Sequence, residues 1–288
     1  MALVEMNFES QYLCNNHVIS IILPDKPRAV KPKDFYTSKK YPVLWLLHGT
    51  FGDHSDWLRK SNIELYACEN DLIVVMPSAM NSNYASWPAF AMGYNMWDYL
   101  FEELMPLIYN WFPASDKRED NFIAGLSMGG GGTAKYAIYH PEKFAAAAIL
   151  SSAPRNLEVA QAAEIEAYKK GVRALSADTP AMARVLNAIE REGGVEGYLA
   201  SRENVWAKLK EYEGKPDSLP KLYVACGTND KIAYPAFLKF KEYCEELGIP
   251  ARFQAIEGYE HEWRFWDITI QNALSFFGFD NVKLGNPF

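Results

Sequence analysis

Phe122-Ile123-Ala124-Gly125-Leu126-Ser127-Met128-Gly129-Gly130-Gly131-Gly132, followed by Thr133-Ala134-Lys135-Tyr136-Ala137-Ile138-Tyr139, is an apolar run, a sharp turn and a helical stretch in succession. The turn holds G-x-S-x-G, and in a strand-turn-helix context that pentapeptide reads as a nucleophile elbow. A serine there sits in strained backbone with its hydroxyl exposed at the carboxyl edge of a sheet. Gly125 and Gly129 stand two residues to either side, where side chains would collide as the chain reverses. The four glycines 129–132 lack the Gly-Lys-Ser/Thr ending of a phosphate loop and come after the serine, so they read as close helix–sheet packing.

A serine hydroxyl needs a base to take its proton, and a carboxylate to hold that base in the right tautomer. In elbow hydrolases the chain order is serine, acid, histidine, and only two histidines follow Ser127. His140 ends the elbow's own helix, roughly 20 Å away at about 1.5 Å per residue. His261, in Gly258-Tyr259-Glu260-His261-Glu262-Trp263, opens from the last expected strand onto the same carboxyl edge, so it is the expected base. Asp230, in Cys226-Gly227-Thr228-Asn229-Asp230 directly after the run Leu222 to Ala225, is the expected acid. Asp267 falls inside the terminal helix, Asp217 at the wrong edge, and Glu257 and Glu260 too close in sequence to reach the other ring nitrogen.

A tetrahedral intermediate needs two N–H donors aimed at its oxyanion. Met128, at the start of the elbow helix, should supply one amide, and the helix dipole assists it. Thr50 in Leu47-His48-Gly49-Thr50-Phe51-Gly52 should supply the other, with His48 acting through local hydrogen bonds and not as a base. His48, Asp53, His54 and Asp56 invite a metal reading, but no second cluster supports it. No metal and no cofactor is expected.

Apolar runs of strand length recur at His17 to Leu23, Val43 to Leu47, Leu72 to Met76, Phe122 to Ala124, Ala145 to Leu150, Leu222 to Ala225 and Arg252 to Ile256. Several are continuous and not alternating, as strands buried on both faces require. Helical patterns lie between most of them. Ser61 with Glu64 reads as a capping box for Ile63 to Glu69. Asn95 to Trp111 reads as one amphipathic helix with a kink or break at Pro106. Pro235 to Leu247 stops at Gly248, and a last helix runs from about Trp263 to Phe277. Alternating strands and helices predict a single α/β domain over 1–288, a mostly parallel central sheet covered on both faces. Roughly Asn156 to Gly214, rich in Ala, Glu, Lys and Leu, has no convincing strand. It reads as two or three helices, a cap over the carboxyl edge; a helical excursion packed on the side is the alternative.

At 288 residues, 49% hydrophobic and 23% charged, the composition is that of an ordinary globular protein with a sizeable core. The net charge of −7 argues against nucleic acid as a partner, since phosphate neutralisation needs a basic face. No apolar run reaches membrane-spanning length and the amino terminus carries no secretory pattern, so the expected location is cytoplasmic and no membrane partner is expected. Cys14, Cys68, Cys226 and Cys244 then read as reduced thiols, Cys226 as strand-end packing. Whether the chain forms a homo-oligomer stays open.

Four strings together resemble the esterase D-like family: Leu47-His48-Gly49-Thr50-Phe51-Gly52-Asp53-His54-Ser55-Asp56-Trp57, Gly125-Leu126-Ser127-Met128-Gly129-Gly130, Cys226-Gly227-Thr228-Asn229-Asp230 and His261-Glu262-Trp263-Arg264-Phe265-Trp266. They occur in the family's order across nearly the whole chain. The resemblance implies an α/β-hydrolase fold, a Ser127-Asp230-His261 triad, oxyanion donors at Thr50 and Met128, and no metal or organic cofactor. S-formylglutathione hydrolases of the family resemble one another in a His-Ser-Met-Gly-Gly elbow and a Cys-containing oxyanion loop. This chain has Leu126 before the serine and no Cys near Thr50, which points to the tributyrin-esterase and feruloyl-esterase branch.

The expected activity is therefore serine carboxylester hydrolysis through an acyl-serine. Its expected substrates are small acyl or hydroxycinnamoyl esters, including feruloylated or acetylated saccharides. S-formylglutathione hydrolysis and acyl transfer to another acceptor are alternatives on the same residues. Phe51, Trp57, Trp87 and Trp263 lie near carboxyl-edge loops and are candidate substrate contacts, and Asn81 to Pro88 is a candidate wall of the site.

Overall fold

A computed structural model describes residues 2–25 and 28–280. Eight strands form one sheet in the order β1-β2-β4-β3-β5-β6-β7-β8. They are β1 (Ala2–Ser10), β2 (Asn15–Leu23), β3 (Val43–Leu47), β4 (Ile73–Pro77), β5 (Asn121–Leu126), β6 (Ala146–Leu150), β7 (Lys221–Gly227) and β8 (Ala251–Ile256). From β4 to β8 every neighbouring pair is parallel, while β1–β2 and β2–β4 are antiparallel. All seven expected strands are present, and β1 is an addition.

Burial explains the continuous apolar runs. Val43, Trp45 and Leu47 face one core with Ile123, Ile149 and Val224, under Tyr99, Leu104, Tyr136 and Phe240. Leu44 and Leu46 face a second core with Val74, Ala148 and Ala225, under Trp57, Ile63, Phe265 and Ile270. Each central strand is thus apolar on both faces because helices cover both.

Two helix expectations need correction. Ser61 does not form the expected box with Glu64: Asn62 occupies the cap position without a side-chain cap bond, and Ser61 Oγ accepts only the N–H of Ile63 (3.3 Å). Ser61 instead closes the preceding helix Asp56–Lys60, its Oγ donating to the Trp57 carbonyl (2.6 Å). The stretch Met96–Trp111 is helical throughout but passes through π-helical Tyr99–Leu104 before α-helical Met105–Trp111. Pro106 has no N–H to continue an α-ladder, and its ring crowds the carbonyl one turn earlier; a wider π-turn just before it relieves that crowding. The terminal helix is Trp263–Phe277, closed by Gly278 at φ +99°.

Between β6 and β7 lie the helices Leu157–Ala160, Ala162–Lys169, Pro180–Arg191, Val195–Ala200 and Val205–Leu209, more and shorter than the two or three expected. Leu157, Ile165, Leu186, Ile189 and Tyr198 form a small core of their own.

Helix Met128–Tyr139, which follows the elbow, lies so close to the sheet that its glycines are not interchangeable. A Cβ on Gly129 would stand 2.5 Å from the Leu47 carbonyl oxygen and 2.6 Å from that of His48, both fixed backbone. On Gly131 the nearest atom would be Ser152 Oγ at 3.5 Å, an ordinary contact. Gly129→Ala is expected to cost at least about 2 kcal/mol, whereas Gly131→Ala should gain about 0.5–1 kcal/mol from helix propensity. Urea unfolding of the two variants checks this, and equal stabilities would show that the elbow helix has room to move.

Candidate active site

Ser127, Asp230, His261 and Thr50 each lie just past the carboxyl end of a parallel strand. Ser127 follows β5 and adopts φ +50°, ψ −119°, a region that side-chain-bearing residues occupy only when their surroundings enforce it. Its N–H is held by the Leu150 carbonyl of β6 (2.9 Å). A Cβ on Gly125 would lie 2.4 Å from the Gly129 carbonyl oxygen, so the two glycines of the pentapeptide pack against each other.

Asp230 follows β7 and His261 follows β8. His261 Nε2 is 2.9 Å from Ser127 Oγ, and its Nδ1 is 2.6 Å from Asp230 Oδ2. Asp230 has only 1% of its side chain exposed, and its Oδ1 accepts the N–H groups of Ile232 (3.1 Å) and Ala233 (2.9 Å). A carboxylate so held faces Nδ1 and requires the imidazole proton there, leaving Nε2 to accept from the serine. That line of bonds can take a proton from Ser127 and return it to a leaving group.

The residue beside the base went unnoticed at the sequence level. Trp266 meets the His261 ring edge-on (5.0 Å, 89°), and its own Nε1–H donates to Ser151 Oγ (3.1 Å). The signal available was its position five residues after the histidine, in the first turn of the terminal helix.

The loop after β3 passes the serine closely: a Cβ on Gly49 would come within 3.5 Å of Ser127 Cβ. The loop that carries Thr50 thus runs beside the serine that Met128 follows, and neither the Thr50 nor the Met128 amide has an acceptor among the described residues. His48, 1% exposed, fixes this loop as a neutral ring. Its Nδ1–H donates to the Gly49 carbonyl (2.7 Å) and its Nε2 accepts from Ala79 N–H (2.8 Å), while burial holds the imidazole below the ordinary histidine range. Asn81 Oδ1 accepts the N–H of Phe51 (2.8 Å), tying the loop after β4 to the same segment.

Of the aromatic candidates, Phe51 is 90% exposed and Trp87 lines a cavity beside Asn81. Trp57 does not line the site. It is 1% exposed in the second core, where its Nε1–H finds the Leu47 carbonyl (3.0 Å). Trp263 packs between Trp57 and Trp266, edge-on to each at 5.3 Å, and so supports the terminal helix.

The rejected candidates have structural partners. His140 Nδ1 pairs with Glu142 (3.2 Å) at the far end of the elbow helix. Asp267 accepts from Asn62 N–H (2.7 Å) and Tyr66 OH (3.3 Å). His54 Nδ1 meets Ser20 Oγ (2.7 Å), Asp53 accepts from Ser55 (2.8 Å to N) and Asp56 pairs with Lys60 (2.9 Å). Among the described residues no group of three or more His, Cys, Asp or Glu could hold a metal ion. Burial pushes the Cys226 thiol up to about 12, which fits an inert packing residue. No helix among the described residues is long and apolar enough to cross a membrane.

Residues 23–276 match the model of the family described as "Putative esterase". An acetyl esterase from Caldicellulosiruptor saccharolyticus is 30% identical over 275 residues, covering 95% of this chain and 97% of that protein. A substrate-bound fluorophosphonate-binding serine hydrolase of Staphylococcus aureus superposes with a TM-score of 0.77 at 27% identity, covering 96% of this chain and 98% of that one. An S-formylglutathione hydrolase of Staphylococcus aureus superposes with a TM-score of 0.74 at 28% identity, with the same coverage.

Proposed function

This chain belongs to the Putative esterase family of carboxylic ester hydrolases, and from that premise we propose that it is a serine carboxylesterase cleaving small acyl esters through an acyl-serine. The observation that carries the reading is the unbroken hydrogen-bonded line Ser127–His261–Asp230, 2.9 and 2.6 Å long. Ser127 Oγ attacks the ester carbonyl carbon as His261 Nε2 takes its proton. The amides of Thr50 and Met128 receive the oxyanion, which is worth about 3–4 kcal/mol per donor in comparable sites. The carbon–oxygen bond to the alcohol then breaks, and His261 protonates the departing oxygen. Water, deprotonated by the same nitrogen, releases the acid.

Acetyl esters head the proposed substrates, on the strength of the acetyl esterase relative. Hydroxycinnamoyl esters, feruloyl among them, are the larger acyl substrates of the same reading, and the helical segment 156–214 is proposed as the cap that grades acyl size. A second reading, S-formylglutathione hydrolysis, is favoured by the similarity to that Staphylococcus aureus enzyme.

A panel of p-nitrophenyl acetate, tributyrin, methyl ferulate and S-formylglutathione separates the two readings. The first predicts kcat/KM highest among the oxygen esters. A preference of more than about 100-fold for the thioester, some 2.8 kcal/mol, selects the second.

A further inference from the structure

The loop after β4 builds a cavity that the catalytic line does not use. Trp87 and Tyr94 exchange backbone hydrogen bonds (2.8 and 3.2 Å), and Ser86 bridges to Asn95, so the chain between them folds back as a short hairpin. Phe90, near its tip, is 54% exposed and meets Tyr94 edge-on (6.2 Å, 89°). Met80, Asn81, Ser82, Trp87, Phe90 and Tyr94 line an open cavity of about 330 Å³. That is the small end of the ~300–1,000 Å³ typical of ligand sites, sized for one substituent and not for an oligosaccharide. Asn81 ties the cavity wall to the loop after β3, because it holds the amide of Phe51, the neighbour of Thr50.

Sheet order decides which half of an ester can enter it. Ser127 ends β5; β3 and β4 lie on one side of it, and β6, β7 and β8 on the other. His261, which must protonate the leaving oxygen, comes from the β8 side, so the alcohol departs there. The acyl substituent is then directed across the serine toward the loops after β3 and β4.

The Trp87 wall is held from behind. Its Nε1–H donates to the Ser82 carbonyl (2.8 Å), and the Arg191 guanidinium lies 4.5 Å over its ring. Arg191 comes from the inserted helices, with 7% of its side chain exposed, and pairs with Glu203 (2.7 Å) and Glu192 (2.8 Å). Glu203 also binds Lys135 (3.2 Å), itself buried on the elbow helix. One face of the ring is thus stacked on a cation, while the same side chain lines the cavity.

We propose that this cavity is the acyl subsite, that it takes a planar apolar acyl group bulkier than acetyl, and that Arg191 is the positioning residue that fixes its Trp87 wall. The inference rests on the esterase reading. The test uses two series with wild type, Arg191→Met, Arg191→Lys and Trp87→Ala: p-nitrophenyl acetate against p-nitrophenyl cinnamate, and methyl acetate against 1-naphthyl acetate. Arg191→Met is expected to raise KM for the cinnamate about tenfold with kcat within about twofold, the scale of one lost cation–π contact. Its cinnamoyl-to-acetyl ratio of kcat/KM falls accordingly, its naphthyl-to-methyl ratio stays put, and Arg191→Lys recovers much of the loss. Trp87→Ala lowers the acyl ratio at least as far and reads the same subsite should Arg191→Met fail to fold. A change that follows the alcohol series, or one that falls equally on all four esters, overturns the proposal. A wild-type protein inert on every ester overturns the esterase reading with it.

Discussion

Ser127→Ala is expected to lower kcat for p-nitrophenyl acetate by about 10⁴-fold or more, the scale on which isolated serine nucleophiles have been removed elsewhere. The loss should be total for covalent labelling: a fluorophosphonate should add to the wild-type protein at one residue and to the Ala variant at none. Stability provides the control. Serine and alanine both place a Cβ at φ +50°, ψ −119°, so the strain is common to both and unfolding free energies should agree within about 1 kcal/mol. Ser127→Gly removes that Cβ and should unfold about 1–2 kcal/mol later than either. An Ala variant that keeps a tenth of the activity, or still takes the label, places the nucleophile elsewhere. A Gly variant no more stable than the Ala variant means that the elbow stores no strain.

The parts of this architecture legible in sequence are those where one physical demand acts alone. Val43 to Leu47 and Ala146 to Leu150 are apolar at every position because helices cover both faces of the sheet, and their length and flanking turn residues mark such runs as strands. The elbow was legible because backbone contact forces both glycines, Gly125 against Gly129 and Gly129 against the Leu47 and His48 carbonyls, and chain order then left His261 and Asp230 as partners. What escaped depends on tertiary competition. In β1, Val4, Met6 and Phe8 alternate with Glu5, Asn7 and Glu9, a period-2 signal that was there to be used. Ser61 has the chemistry of an N-cap, but its hydroxyl donates to the Trp57 carbonyl of the helix before it, which holds Ser61 as the close of that helix and leaves Asn62 in the cap position. Trp57 and Trp263 sit near the right loops in sequence, yet a β-strand end offers two faces. Theirs is the face of the terminal helix, where the two rings pack on each other. Nothing in local sequence distinguishes that face from the one bearing the site. The Arg191 stack on Trp87 joins residues more than a hundred positions apart, so only the fold could reveal it.

Asp230→Asn should be nearly as damaging as loss of the nucleophile, although it changes one atom and almost no volume. Oδ1 of Asp230 accepts two backbone N–H groups, from Ile232 and Ala233. An amide in the same place must keep its carbonyl oxygen there, because an NH₂ group facing two N–H donors at about 3 Å would leave all of them unpaired. Its NH₂ is thereby turned toward His261 Nδ1, the position now taken by Oδ2 at 2.6 Å. Nδ1 then becomes the acceptor, the ring proton moves to Nε2, and Nε2 can no longer take the proton of Ser127 Oγ. The geometry survives while the tautomer inverts, and an inverted tautomer in an equivalent dyad costs about 10⁴ in kcat. KM should move little, because the substrate does not touch Asp230, which is buried beneath the histidine. Asp230→Ala provides the contrast. It leaves His261 free to choose its tautomer but strands the amides of Ile232 and Ala233, so it should retain more activity per folded molecule than the Asn variant and lose more stability. If Asp230→Asn keeps more than about a tenth of the wild-type kcat, far above the loss expected from an inverted tautomer, another carboxylate orients His261. The exposed Glu260 and Glu257 on the same loop are then the residues to replace next.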